Sequence, residues 1–381
     1  MKGRSAGRVC RRGLSAALAA GRVGASAGRS SRWPVLLGTG VFMLVLSVLR
    51  PFEAHANALN LLVWKWGISP ELVRAWTAMT GVEINQIVFD NGDRRDLLIA
   101  NVNAPIDLAV IDSAHVQAFG ERGLLLDQSG LSLPETARSE ERWRGMCGRY
   151  GVPYSWGNTG IVYRADRLKE APQSWADLLK PGPALVGHIA MTDDQEELLA
   201  AALNFMGRPM NSGDPGDLRR AFELLRAQAP AVLTYGLPST AQQRRDVRGQ
   251  IFIGLGGTGD QKTLNMAGGG KEVWRFVTPR EGAMVWTDCL VVLKRAHNPG
   301  LAERFVAFLA QPDNGAANAI FLRQPPTNPH AAALLPGTMR DDPQIYPPPG
   351  YPIIYRGPFP TDSLPLRRRI LSALLTIHDT Q

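Results

Sequence analysis

The sequence predicts an α/β fold of two lobes, and three observations predict it. From residue 59 onward, short apolar runs alternate with helical stretches, the pattern of strands connected by crossover helices. The 381 residues suffice for two domains of ordinary size, each with its own core. Hydrophobic residues make up 45% and charged residues 20%, the balance of a globular body.

The N-terminal segment stands apart. An Arg-rich stretch over residues 1–32 leads into an apolar run over 33–49 and then into Ala54-His55-Ala56-Asn57-Ala58. A basic region, a short apolar region and an Ala-x-Ala site read together as an export signal over residues 1–56, cleaved after Ala56 or Ala58. The Arg11-Arg12 pair raises a twin-arginine route, and about 17 apolar residues lie at the short edge of a membrane anchor. The net charge of +8 also belongs to this segment. It holds nine basic residues and one acid, which leaves 33 of each from totals of 42 and 34. A neutral body removes the argument for a nucleic-acid partner. Of three cysteines, Cys10 lies in the leader. Cys147 and Cys289 have no spacing signature and are expected as buried free thiols, although one disulfide is arithmetically possible.

In the first block, strands are expected at 59–66, 82–89, 106–111, 151–156 and 160–163. Helices are expected at 70–80, opened by Ser69 as N-cap and Pro70 at N1, and at 93–101 and 115–121. A second block from about residue 165 reads as helix 175–179, strand 185–191, helix 196–206, a polar loop at 207–216, helix 217–228 and strands 231–234 and 251–255. A strand at 284–293 and an amphipathic helix at 301–309 follow. The Pro- and Gly-rich tail over 324–365 reads as a surface-wrapping loop, closed by a helix at 365–377.

Within the last strand pattern, Trp286-Thr287-Asp288 puts an indole and a carboxylate on one face, since side chains two apart on a strand point the same way. That pair suits an organic cation, through cation–π attraction and charged N–H bonds; an ordinary core Trp beside a turn-capping Asp is the plainer alternative. Thr192 and Gln195 fit a capping box at a helix start. Asp194 and Glu197, three apart on that helix, carry more acid than capping needs, at the kind of strand-to-helix junction where ligands bind in open α/β sheets. Asp112 ends a strand at the same kind of edge, where the N-cap reading is preferred. Gly254-Leu255-Gly256-Gly257-Thr258-Gly259 matches G-x-G-x-x-G, but residues 264–270 are too glycine-rich for the helix that a dinucleotide site needs. A tight turn that lets backbone approach a cleft is expected instead. The six histidines are scattered without metal-ligand spacing, and no P-loop or nucleophile elbow is present, so neither a metal nor a cofactor is expected.

With these residues in hand, the chain resembles the periplasmic spermidine/putrescine-binding proteins of bacterial ABC importers. The match covers nearly all of 59–335 in order: Leu62-Val63-Trp64, Pro153-Tyr154-Ser155-Trp156-Gly157-Asn158-Thr159-Gly160, Ser174-Trp175-Ala176-Asp177-Leu178, 185–194, and Glu281-Gly282 leading to Trp286-x-Asp288. The resemblance implies a type II binding-protein fold, with lobe 1 at 59–160 and 287–332 and lobe 2 at 161–286 and 333–381. It also implies crossing hinge strands and no catalysis. It places a polyamine between the stacking residues Trp64 and Trp286 and the carboxylates Asp194, Glu197 and Asp288, with Asp112 in place of a pocket Ser. Gly67, Ala114 and Leu255 stand where that family carries aromatic walls, and Trp66, two residues along from Trp64, is expected to fill part of the gap. The implied setting is the periplasm of a Gram-negative bacterium, with a monomer delivering its ligand to ABC permease subunits. Another amine-bearing solute, a receptor's ligand-sensing partner, and an exported hydrolase using the cleft carboxylates are the rivals.

Overall fold

The computed structural model describes residues 58–358 and 360–380, so the expected export signal lies outside the described residues. Ten strands form one sheet: β1 (Ala58–Trp64), β2 (Glu83–Phe89), β3 (Leu108–Asp112), β4 (Val152–Arg164), β5 (Ile189–Met191), β6 (Val232–Tyr235), β7 (Ile253–Gly257), β8 (Trp274–Val277), β9 (Ala283–Val292) and β10 (Ile353–Tyr355). The helices through the middle of the chain are α1 (Pro70–Thr80), α2 (Gly92–Ala100), α3 (Ser113–Glu121), α4 (Glu141–Cys147), α5 (Ala176–Leu179), α6 (Gln195–Phe205), α7 (Pro215–Gln228), α8 (Pro238–Ala241) and α9 (Asp260–Ala267). After the last long strand come α10 (Pro299–Ala310), α11 (Pro312–Leu322), α12 (Pro329–Ala333), α13 (Gly337–Arg340) and α14 (Leu364–Asp379).

The strand order β2-β1-β3-β9-β4-β7-β5-β6 explains the two lobes. β1 is parallel to β2 and β3 at one end, and β5 is parallel to β6 and β7 at the other. Two long antiparallel strands, β4 and β9, join these halves and pair with each other from Val152↔Leu290 to Thr159↔Met284. Each crosses from one parallel set to the other: β9 pairs with β3 through its C-terminal half, and β4 with β7 and β8 through its own. The expected lobe boundaries at 160/161 and 286/287 fall inside these two strands.

The inner parallel strands β1, β3, β5 and β7 are buried on both faces, which is why they read as apolar runs, while the edge strand β2 stays largely exposed. In lobe 1, Leu61, Val63, Leu108 and Val110 pack on one side with Trp76 and Phe305, while Leu62, Ala109 and Ile111 pack on the other with Phe119 and Val291. In lobe 2, Ile189, Met191, Ile253 and Leu255 meet Leu198, Leu199, Leu218 and Leu225, and Ile370 and Leu374 bring α14 into the same core. Among the described residues, no helix is long and apolar enough to cross a membrane.

Several expectations are corrected. The runs at 151–156 and 160–163 are one strand, β4, because the Gly and Asn between them stay extended while crossing the lobes. The chain after Gly259 is helical over Asp260–Ala267, and the glycines at 268–270 end that helix rather than prevent it. The Pro-rich tail holds two short helices and β10, whose Ile353–Tyr355 pairs with Ala283–Val285. Cys147 and Cys289 form a disulfide, with Cα atoms 5.8 Å apart across 142 residues of sequence. The end of α4 meets β9 only after the sheet is assembled, a proximity that spacing along the chain does not carry.

Candidate functional site

A cavity of about 190 Å³ opens where β4 and β9 cross, and both lobes line it. Trp64, Asp112, Glu197, Trp286 and Asp288 are all on its wall, so the fold brings five of the six expected residues together. Asp194 is the sixth, and it does not line the cavity. Its Oδ1 accepts the N–H groups of Glu196 and Glu197 as the N-cap of α6, and its Oδ2 accepts the N–H of Gly92 at 2.9 Å from the facing lobe. The expected capping box therefore shifts by two residues: Thr192 Oγ1 accepts the N–H of Asp194 instead of opening the helix. Gly92 makes room for this meeting: a Cβ there would lie 2.6 Å from Asp194 Oδ2, and the carboxylate would have to shift.

Trp286 is half-buried on β9 opposite Gly157 of β4. A Cβ at residue 157 would come within 2.5 Å of the indole, so glycine lets the ring lie against the strand. Trp64 ends β1, half-buried, its ring centroid 4.3 Å from that of Phe89. Trp66 lies beyond the strand end at φ 63° and is 46% exposed; it reaches the cavity rim through a left-handed turn, not from the strand face it was expected to share with Trp64. Gly67 and Leu255 also line the cavity, while Ala114 does not. The end of β7 and the turn after it place residues 256–259 on the wall.

The carboxylates differ sharply in their company. Asp112 caps α3 through the N–H of Ala114, as preferred from the sequence, and also takes Arg95 Nη1 at 3.0 Å and His115 Nδ1 at 3.1 Å. Burial alone would raise its pKa, but His115 and Arg95 hold it well below the usual carboxylate range. His115 Nε2 reaches Glu196 Oε1 of the other lobe at 2.9 Å. Burial opposes its charge, yet Asp112 and Glu196 outweigh that and push the imidazole up to about 10. Glu197 accepts Thr159 Oγ1 at 2.7 Å and pairs with Arg356. Asp288 stands opposite Asp112 in the β3–β9 register and beside Ser155 of β4. Burial first, and the Asp112 charge second, push its pKa up to about 7. It is a buried carboxylate facing a cavity, with no Lys or Arg in ion-pair contact among the described residues. Half-buried Asp260, which accepts the N–H of Gly257 at 2.7 Å, is likewise pushed up to about 6 by burial.

Donor atoms of Asp112, His115 and Glu196 all lie within 4.8 Å of one another, a grouping the scattered histidines did not announce. Arg95 already holds Asp112 at 3.0 Å, and His115 bridges Asp112 and Glu196, so the grouping reads as an ion-pair network. Arg356, Arg95, His115 and Asp260 were not foreseen as site residues. Arg356 follows a three-residue strand among prolines, too short for periodicity to show; Arg95 and His115 reach the site through long-range packing, and Asp260 lines it from the first turn of α9.

The comparisons agree with this architecture. The profile of the bacterial extracellular solute-binding protein family matches residues 71–347. A norspermidine sensor of Vibrio cholerae serotype O1 is 32% identical over 296 residues, 77% of this chain and 82% of that protein. A putrescine/agmatine-binding protein of Pseudomonas aeruginosa is 27% identical over 331 residues, covering 80% of this chain and 90% of the relative. A solved structure titled as a putative spermidine/putrescine ABC transporter from Listeria monocytogenes superposes with a TM-score of 0.74 at 22% identity, over 84% of this chain and 99% of that one. The fold is that of type II periplasmic binding proteins. A cleft at the crossing of two hinge strands, in a chain matched over most of its length, makes this protein a member of the bacterial extracellular solute-binding protein family.

Proposed function

We propose that this protein is the extracytoplasmic solute-binding component of an ABC importer and that it takes a polyamine-type organic cation into the interlobe cleft. The observation that carries the reading is Asp288: a buried carboxylate on the cavity wall, two residues from Trp286 on the same strand face and with no Lys or Arg in ion-pair contact among the described residues. Desolvating a lone carboxylate is costly, and an ammonium group offsets that cost where a neutral sugar does not. In this reading Trp64 and Trp286 contact the alkyl stem, Asp288 binds one ammonium, Asp112 and Glu197 shape the field, and Asp194 holds the lobes together. The names of the relatives, which include spermidine/putrescine-binding periplasmic proteins of Salmonella, support the ligand class.

The remaining roles follow from that reading. Residues 1–56 direct export and are removed, the mature chain works in the periplasm of a Gram-negative cell as a monomer, and the closed form docks on the permease. The Cys147–Cys289 bond suits an oxidising compartment. The protein binds and releases its ligand without chemistry. Titration with putrescine, spermidine or norspermidine is expected to change Trp fluorescence and raise Tm; no response to any of them at millimolar concentration would contradict the assignment. A second reading, a ligand-sensing partner of a membrane receptor, is favoured by the 32% identity to a norspermidine sensor. Polyamine uptake lost on deletion of the gene identifies the importer, and uptake unchanged identifies the sensor.

A further inference from the structure

Arg356 is built into the cleft. It follows β10 directly, and its N–H donates to Val285 O at 2.8 Å, which seats it beside Trp286. Its guanidinium lies on the cavity wall with the side chain only 9% exposed. Nη2 donates to Glu197 Oε1, and Nη1 lies 4.0 Å from Glu196 Oε2. The other oxygen of Glu197 is taken by Thr159. The carboxylate that the family resemblance gives to a ligand amine is thus occupied by a cation of the chain itself. Burial works against the Arg356 charge, and Glu197, Asp112 and Glu196 more than restore it, so the guanidinium stays charged.

This sets two unlike groups on one cavity wall. Asp288 is a carboxylate with no ion-pair contact among the described residues, although the charges of Arg95 and Arg356 reach it; beside Glu197, a guanidinium with five N–H donors gives one to Glu197 and lies on the cavity wall. An ammonium brought to Glu197 meets the fixed like charge of Arg356. An oxygen acceptor meets a planar donor fork suited to a carbonyl or a carboxylate.

We propose that Arg356 is a specificity-determining residue: the ligand places an ammonium at Asp288 and an acceptor oxygen, rather than a second ammonium, at Arg356. The inference rests on the reading of the cleft as an amine site and narrows it to end-capped amines, acylated or ω-carboxylated. The competing arrangement puts a second ammonium on Asp260, whose remaining oxygen faces the same cavity.

Calorimetric titration of the whole chain with putrescine, spermidine, N-acetylputrescine and 4-aminobutyrate separates the two. The wild type is expected to bind N-acetylputrescine or 4-aminobutyrate at least tenfold more tightly than putrescine, and the stronger of the two identifies the acceptor as carbonyl or carboxylate. R356Q, which frees Glu197 for an ammonium, should reverse that order. The double variant E197Q/R356Q removes both charges together and leaves neither buried without a partner. It should lose the acceptor preference without gaining affinity for putrescine, and it serves where R356Q does not fold. A wild type that prefers putrescine, with the preference unchanged in R356Q, overturns the inference while the amine reading stands. A wild type that binds none of the four overturns both.

Discussion

Asp288 and Asp112 face each other across the β3–β9 pair, and like charges directly opposite are unfavourable. The protein resolves the conflict unequally, giving Arg95 and His115 to Asp112 and leaving Asp288 to a cavity. The sign of the consequence follows from the raised pKa. A carboxyl that titrates near 7 in the folded state and near 4 when unfolded holds its proton longer in the fold, so unliganded stability falls as pH rises from about 4 through about 7. Asp288→Asn should flatten that part of the Tm–pH curve while abolishing binding of organic cations. Affinity in the wild type should drop roughly tenfold between pH 8 and pH 6, as the fraction of ionised carboxylate falls. At Gly157, substitution by Ala pushes a Cβ into the indole of Trp286; weaker ligand binding and an altered Trp emission maximum are expected in a protein that still folds.

At the scale of elements, α6 and the hinge strands carry the account. Asp194 stabilises the start of α6 and holds the N-terminus of α2 across the cleft with the same carboxylate. Asp194→Ala is expected to cost about 1–2 kcal/mol in chemical denaturation, the range of a lost N-cap, and to weaken ligand binding because closure loses a cross-lobe bond. His115 makes a second tie, from α3 to Glu196 of α6. Its folded pKa of about 10 exceeds the unfolded value near 6.5, so its stabilisation is complete below about pH 6.5 and is lost as pH rises toward 10. The window lies above that of Asp288. A Tm that falls across pH 7–10 in the wild type and stays flatter in His115→Gln is the expected result.

These two scales also mark what the sequence made legible. Trp286 and Asp288 were readable because a strand enforces period-two sidedness, and β9 is a long, strongly apolar strand. The parallel halves were readable from continuous apolar runs. Asp194 and Glu197 were found as a pair, but which one faces the cavity depended on a cap that began two residues later than the capping-box pattern placed it. Arg356 was invisible, because its position rests on three strand residues whose partner lies some seventy residues earlier in the chain.

For the whole molecule, the Cys147–Cys289 bond closes a loop of 142 residues and ties α4 to the hinge strand one residue from Asp288. In the chain-entropy description a loop of that length is worth about 5 kcal/mol. Replacing both cysteines by Ala should lower Tm accordingly, with ligand binding retained at low temperature. Closure in turn requires both lobes to gain from the same ligand, and the proposed division of the chain meets that condition: Asp288 lies on β9 between β3 and β4, while Glu197 and Arg356 fall in the proposed second lobe. The central claim is that one buried carboxylate at this crossing selects an organic ammonium. Calorimetric titration of wild type and Asp288→Asn with the polyamine series at pH 7, in two buffers of different ionisation enthalpy, tests it most directly. The wild type is expected to bind with release of about half a proton, from a carboxyl half-protonated at its pKa, and the variant to lose both binding and release. Equal affinity in the two proteins, or no amine bound by either, would contradict it.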